Sequence, residues 1–145
     1  MKSLRGFLKF DSESNHSEKP IHLVRGELGE KAAEKHLISQ GLIFLMRNFK
    51  SKRGEIDLIF RDDDCLVFIE VKTRSSGSWT RPAAAVNAEK KRKLTRAAFD
   101  YLTMIKRPQI KMRFDIVEVI LAGDQIQEIR HLPVAFNLTK PYRYG

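Results

Sequence analysis

Apolar and small side chains recur at helical spacing at Val24, Leu28, Ala32, Ala33, Leu37 and Ile38, while Glu27, Glu30, Glu34 and Lys35 fill the other faces. That pattern predicts an amphipathic helix over residues 24–39, ended by Gly41, which is free to take a left-handed backbone. The period then shortens. Residues 42–47 form a short apolar run suited to a strand, 48–54 a polar, basic turn, and 55–60 a second strand. Asp62, Asp63 and Asp64 make an acidic turn, and 66–72 is a third strand of mostly β-branched and aromatic residues. Links this short imply an antiparallel meander. Residues 73–86 carry Ser, Gly, Pro and the single Trp, a loop composition. Residues 88–105 are a second amphipathic helix that turns Leu94, Ala97, Ala98, Tyr101 and Leu102 inward. Two further strands, 111–121 and 126–132, flank the turn signal Gly123-Asp124. The predicted class is therefore α/β, in the order helix, three strands, helix, two strands. Residues 11–20 are polar, serine-rich and end in proline, so 1–22 reads as a flexible polar tail and 23–145 as one domain.

Strand alternation adds the first unusual feature. Glu70 and Lys72 share one face of the third strand, while Val67, Ile69 and Val71 point to the other, into a core. Glu55 and Asp57 are likewise two apart on the preceding strand, and pairing of the two strands would bring Asp57 beside Glu70. Carboxylates that close repel unless a cation stands between them, and oxygen donors of this kind suit Mg²⁺ or Mn²⁺. Such an ion would polarise a phosphodiester and activate water, with Lys72 orienting that water or stabilising developing charge. The bland alternative is a surface ion pair between Glu70 and Lys72, worth ~0 to 1 kcal/mol.

Composition narrows the setting. The 145 residues are 42% hydrophobic, enough for one core, and their net charge of +9 favours a polyanionic partner: DNA, RNA or an anionic surface. A lone Cys65 forms no internal disulfide, and no apolar run approaches the ~20 residues needed to span a bilayer. A cytoplasmic location and no membrane association are expected. His16, His22, His36 and His131 lack ligand spacing, so no zinc site is assigned.

The stretches Gly54-Glu55-Ile56-Asp57-Leu58-Ile59 and Leu66-Val67-Phe68-Ile69-Glu70-Val71-Lys72-Thr73-Arg74 resemble the signature of the YraN-like uncharacterised protein family. The likeness extends to Arg25-Gly26-Glu27-Leu28-Gly29-Glu30-Lys31-Ala32-Ala33, to Arg47-Asn48-Phe49, to the lysine-rich second helix and to Arg113-Phe114-Asp115, roughly residues 24–137. That family is similar to the restriction-endonuclease-like, PD-(D/E)xK superfamily, with archaeal Holliday junction resolvases as a close analogy. The resemblance implies a helix-strand-strand-strand-helix-strand core with a mixed sheet flanked by helices. It implies Asp57 and Glu70 as metal ligands, the Val71 carbonyl as a third donor, Lys72 as the catalytic lysine and Glu30 as a helix-borne carboxylate. A homodimer follows from the resolvase analogy. Ile56 replaces a proline that often precedes the aspartate, and Trp79-Thr80 stands where many family members have Phe-Gly.

Other residues keep two readings at this stage. Glu30 is either functional or solvated, and Glu55 either assists the site or lies outside it. Lys90, Lys91, Arg92, Lys93 and Arg96 crowd the start of the second helix against its dipole, as a solvated run or as a nucleic-acid contact surface. Arg47, Lys50, Lys52, Arg53, Arg74 and Arg81 are further candidates on loops, with Arg53, Arg74, Lys90, Arg92 and Lys93 the favoured phosphate contacts. Trp79 would stack on a base or pack on the domain edge. Asp115 pairs structurally with Arg113. The functional expectation is a divalent-metal-dependent endonuclease acting on DNA, branched or junction forms included; the alternative is a non-catalytic nucleic-acid-binding module with a nuclease-like fold.

Overall fold

The structure is a computed structural model that describes residues 18–77, 86–107 and 109–136. The first helix, α1 (Ile21–Ser39), starts three residues earlier than its apolar spacing indicates, immediately after Pro20 at the N-cap. Its end is as expected: Gly41 takes φ 92°, its N–H donates to the Ile38 carbonyl, and the Leu42 N–H donates to the Leu37 carbonyl. Those two bonds form a Schellman motif. Residues 1–17 of the expected tail lie outside the described residues, as do Trp79 and Arg81.

Five strands follow as β1 (Ile43–Lys50), β2 (Glu55–Asp62), β3 (Cys65–Ser75), β4 (Lys111–Ala122) and β5 (Gln125–Phe136), with α2 (Ala88–Met104) between β3 and β4. They make one sheet in the order β1-β2-β3-β4-β5. β1, β2 and β3 form the antiparallel meander, β3 and β4 are parallel, and β4 and β5 are antiparallel. The parallel step needs a crossover, which α2 supplies. Asp63 and Gly123 take positive φ at the two tight turns where the sequence signals fall, residue types that tolerate that conformation.

Both faces of the sheet are covered, as expected for a mixed sheet flanked by helices. Val67 and Ile69 on β3, with Val117, Val119 and Leu121 on β4, pack with Ala32, Ala33 and Leu37 of α1. Leu66 and Phe68, with Phe114 of β4, pack on the other side with Leu94, Ala97, Tyr101 and Leu102 of α2. Glu70 and Lys72 therefore follow Leu66 and Phe68 on the α2 face. Aromatic edge contacts of Tyr101 with Phe49 and Phe68, centroids 5.4 and 5.9 Å apart, anchor α2 there. The helix-strand-strand-strand-helix-strand succession with helices on opposite faces of a mixed sheet is the restriction-endonuclease-like core.

Candidate active site

The β2–β3 ladder runs from Asp62↔Cys65 to Leu58↔Ile69 and stops there. One residue further along β2, the Asp57 carboxylate takes over the role of the missing strand, accepting the Val71 N–H at Oδ2, 2.8 Å away. An extended residue directs its N–H and C=O to the same side, so the Val71 carbonyl also faces the gap between the parted strands.

A cavity of about 420 Å³ opens at this fork. Its walls are His22, Arg25, Gly26 and Glu30 from α1, Glu55 and Asp57 from β2, Glu70, Val71, Thr73 and Ser75 from β3, and Lys90 from α2. The acids expected to meet do so here: Asp57, Glu70 and Glu30 share one space, and Glu55 joins them. The ambiguity among the α1 glutamates resolves by partner. Glu27 pairs with Lys19 at 3.0 Å and Glu34 with Arg47 at 2.7 Å, and of the three only Glu30 lines this cavity, while Glu27 lines an adjoining one with Glu30, Glu55 and Asp57.

The electrostatics are strained toward protonation. Burial first, then the charge of Glu70, pushes the Asp57 carboxyl up to about 7, against the lowering effects of the Val71 N–H and Lys90. Burial and the charges of Glu27, Glu55 and Glu70 raise Glu30 as well. Among the described residues no three His, Cys, Asp or Glu side chains form a ready-made metal cage. The donor set fits a Mg²⁺-type ion better than a fully caged one, because such an ion keeps waters and needs only one or two carboxylates. Asp57, Glu70 and the Val71 carbonyl are hard oxygen donors, and a cation would relieve the repulsion between the two carboxylates.

Lys72 is placed beside this cavity and does not line it. It is half-buried in register with Glu118 of β4, and burial followed by the charge of Arg74 lowers its ammonium pKa. Four of the five favoured phosphate contacts stand in ion pairs within the fold. Arg53 is clamped to Asp100 of α2 at 2.6 Å, Arg74 stands 4.0 Å from Glu118, and Lys93 lies 3.4 Å from Glu89 on its own helix. Lys90 reaches Glu70 at 3.3 Å. Arg92 is exposed. A second cavity of about 500 Å³, between the β1–β2 turn and α2, is lined by Lys50, Lys52, Arg53, Lys90 and Lys93 with Glu55. Acidic fork and basic groove are thus neighbours that share Glu55 and Lys90.

His22, Arg25, Thr73 and Ser75 are not singled out by the sequence pattern. His22 and Gly26 sit eight and four residues before Glu30, one helix face, a spacing that identifies them once the helix is started at Ile21. Arg25 also ties α1 to the end of β3 through Ser75 Oγ at 2.5 Å. The Arg113–Asp115 pair is structural as expected: Asp115, 1% exposed, also receives His131 at 2.7 Å and the Val134 N–H at 2.9 Å. Among the described residues, no helix is long and apolar enough to cross a membrane.

Comparison with known proteins places this arrangement in a group. A UPF0102 protein of Trichlorobacter lovleyi is 36% identical over 114 residues, 78% of this chain and 90% of that protein. One from Chlorobaculum tepidum is 40% identical over 116 residues, 77% of this chain and 90% of that protein. Residues 29–119, a span holding Glu30, Asp57, Glu70, Lys72 and Lys90, match the family model itself. The chain thus belongs to the uncharacterised protein family UPF0102, the YraN family.

Proposed function

We propose that this protein is a divalent-metal-dependent nuclease that hydrolyses phosphodiester bonds in DNA, with branched or junction forms as preferred substrates, and that it works in the cytoplasm. The observation that carries the reading is the convergence of Asp57, Glu70 and Glu30 on one cavity at the fork of β2 and β3. A carboxylate partly buried among other carboxylates is costly unless a proton or a cation neutralises it, and this donor set suits a cation.

Asp57, Glu70 and the Val71 carbonyl would hold Mg²⁺ or Mn²⁺, with Glu30 completing the acidic wall. The ion, when bound, supplies Lewis acidity toward the phosphate and lowers the pKa of water. Lys72, an ammonium whose hold on its proton is loosened by burial, orients the attacking water and offsets charge that develops on the phosphate oxygens. Lys50, Lys52, Lys90 and Lys93 line the groove that would carry the strand backbone to the fork.

The test is cleavage of junction, flap and linear substrates with Mn²⁺ or Mg²⁺. Asp57→Ala and Lys72→Ala should each lower the rate by at least ~10²-fold while leaving the far-ultraviolet spectrum unchanged. A purified protein that cuts neither DNA nor RNA with any divalent ion ends the enzyme reading.

A further inference from the structure

Lys90 occupies a position that no other basic residue of α2 shares: it lines both the acidic fork and the basic groove. Its backbone is fixed, because the Asn87 side chain caps α2 by accepting the Lys90 N–H at 2.8 Å. Its side chain leaves the helix and crosses to β3, setting the ammonium 3.3 Å from Glu70 Oε1. Glu70 is poorly solvated there, with 13% of its side chain exposed, whereas the Lys90 side chain is 44% exposed. The carboxylate therefore needs a cation more than the lysine needs this carboxylate. A half-exposed ion pair is weak enough to be exchanged.

We propose that Lys90 is an exchangeable internal counter-ion: it neutralises Glu70 until a divalent cation takes that role, and is then released into the groove to contact a backbone phosphate. The proposal rests on the metal-site reading above and deepens it. Two cations held against one carboxylate repel each other, so a divalent ion bound by Glu70 expels the ammonium. The fixed helix start limits where that ammonium goes, and the groove lined by Lys50, Lys52 and Lys93 is the adjacent space. Ion and nucleic acid then bind with positive coupling, each raising the affinity for the other.

Two measurements on the full chain test this. First, Mn²⁺ binding without nucleic acid is compared by calorimetry for the wild type, Lys90→Gln and Lys90→Met, the last keeping the aliphatic stem. Removing the competing ammonium should tighten Mn²⁺ binding about threefold to tenfold in both variants. Second, the salt dependence of duplex DNA binding is measured with and without Mn²⁺ in the Lys72→Ala background, which keeps the DNA intact. Mn²⁺ should steepen the log–log slope by about one when Lys90 is present, as one more phosphate is neutralised, and leave it unchanged in Lys90→Gln. Equal Mn²⁺ affinity in wild type and both variants overturns the exchange and leaves the metal site standing. Absence of Mn²⁺ binding in all three overturns both.

Discussion

Asp57 shows how far burial alters one side chain. Its carboxyl titrates near 3.8 when unperturbed and at about 7 in the fold, chiefly because it is buried and faces Glu70. Between those values the folded chain holds a proton that the unfolded chain has released, so stability depends on pH with a negative slope. The contribution is fully present below about 3.8 and is lost as pH rises toward about 7. Without added metal, the wild-type Tm should fall between about pH 4 and about pH 7, a loss on the order of a few kcal/mol. Asp57→Asn, which keeps an oxygen to accept the Val71 N–H and carries no charge, should flatten that profile and be the more stable at the alkaline end. Added Mg²⁺ should raise the wild-type Tm most at the same end, where the carboxylate is free to bind it. Parallel Tm profiles for the two proteins would show that the acidic fork imposes no such cost.

At the scale of elements, α1 is seated on β3 through a contact that only glycine permits. A Cβ at Gly29 would stand 1.8 Å from Thr73 Oγ1 and 3.0 Å from Thr73 Cβ, so Gly29→Ala requires the Thr73 hydroxyl to turn away and presses the helix against the strand. Overpacking of this kind costs about 1–3 kcal/mol, and the displaced helix carries Glu30 in the next position. Gly29→Ala is expected to lower both the denaturant midpoint and Mn²⁺ affinity, with Thr73→Ala recovering part of each; an undisturbed midpoint would mean that the helix has slack. This close approach explains what the sequence could and could not disclose. Element types follow from period and turn residues, which is why Gly41, Asp63 and Gly123 fall where expected. Element lengths follow from neighbours. β3 continues to Ser75 because β4 pairs with it throughout, from Cys65↔Lys111 to Ser75↔Leu121, a register no local pattern contains. The two-residue spacing of Glu70 and Lys72 points to the candidate site, yet the fork where β2 parts from β3 is bridged by Asp57 accepting the Val71 N–H, a contact between residues 14 apart in sequence. Likewise, only tertiary partners separate Glu30 from Glu27 and Glu34.

At the scale of the whole molecule, a net charge of +9 is too blunt to assign contacts, because many of the cations are already engaged within the fold. Arg53 makes the point. Its place in a basic turn suggests a phosphate contact, but its guanidinium bonds Asp100 through both Nε and Nη2, joining the β1–β2 turn to α2. Lys50 and Lys52 line the same groove without such a clamp among the ion pairs of the described residues. The two kinds of cation should therefore respond differently to mutation. Replacing Lys50 and Lys52 by Gln should leave Tm nearly unchanged, weaken DNA binding without regard to sequence, and reduce the log–log salt slope by ~1 for each phosphate that is no longer neutralised. Arg53→Gln should lower stability, by an amount on the order of 1 kcal/mol because the pair is half-exposed, and should loosen the groove only as a consequence. Fluorescence anisotropy at several salt concentrations, set beside thermal unfolding of the same variants, separates the two outcomes. A salt slope untouched by removal of Lys50 and Lys52 would move the nucleic-acid path away from this groove, and with it the approach of a strand to Asp57 and Glu70 from the α2 side.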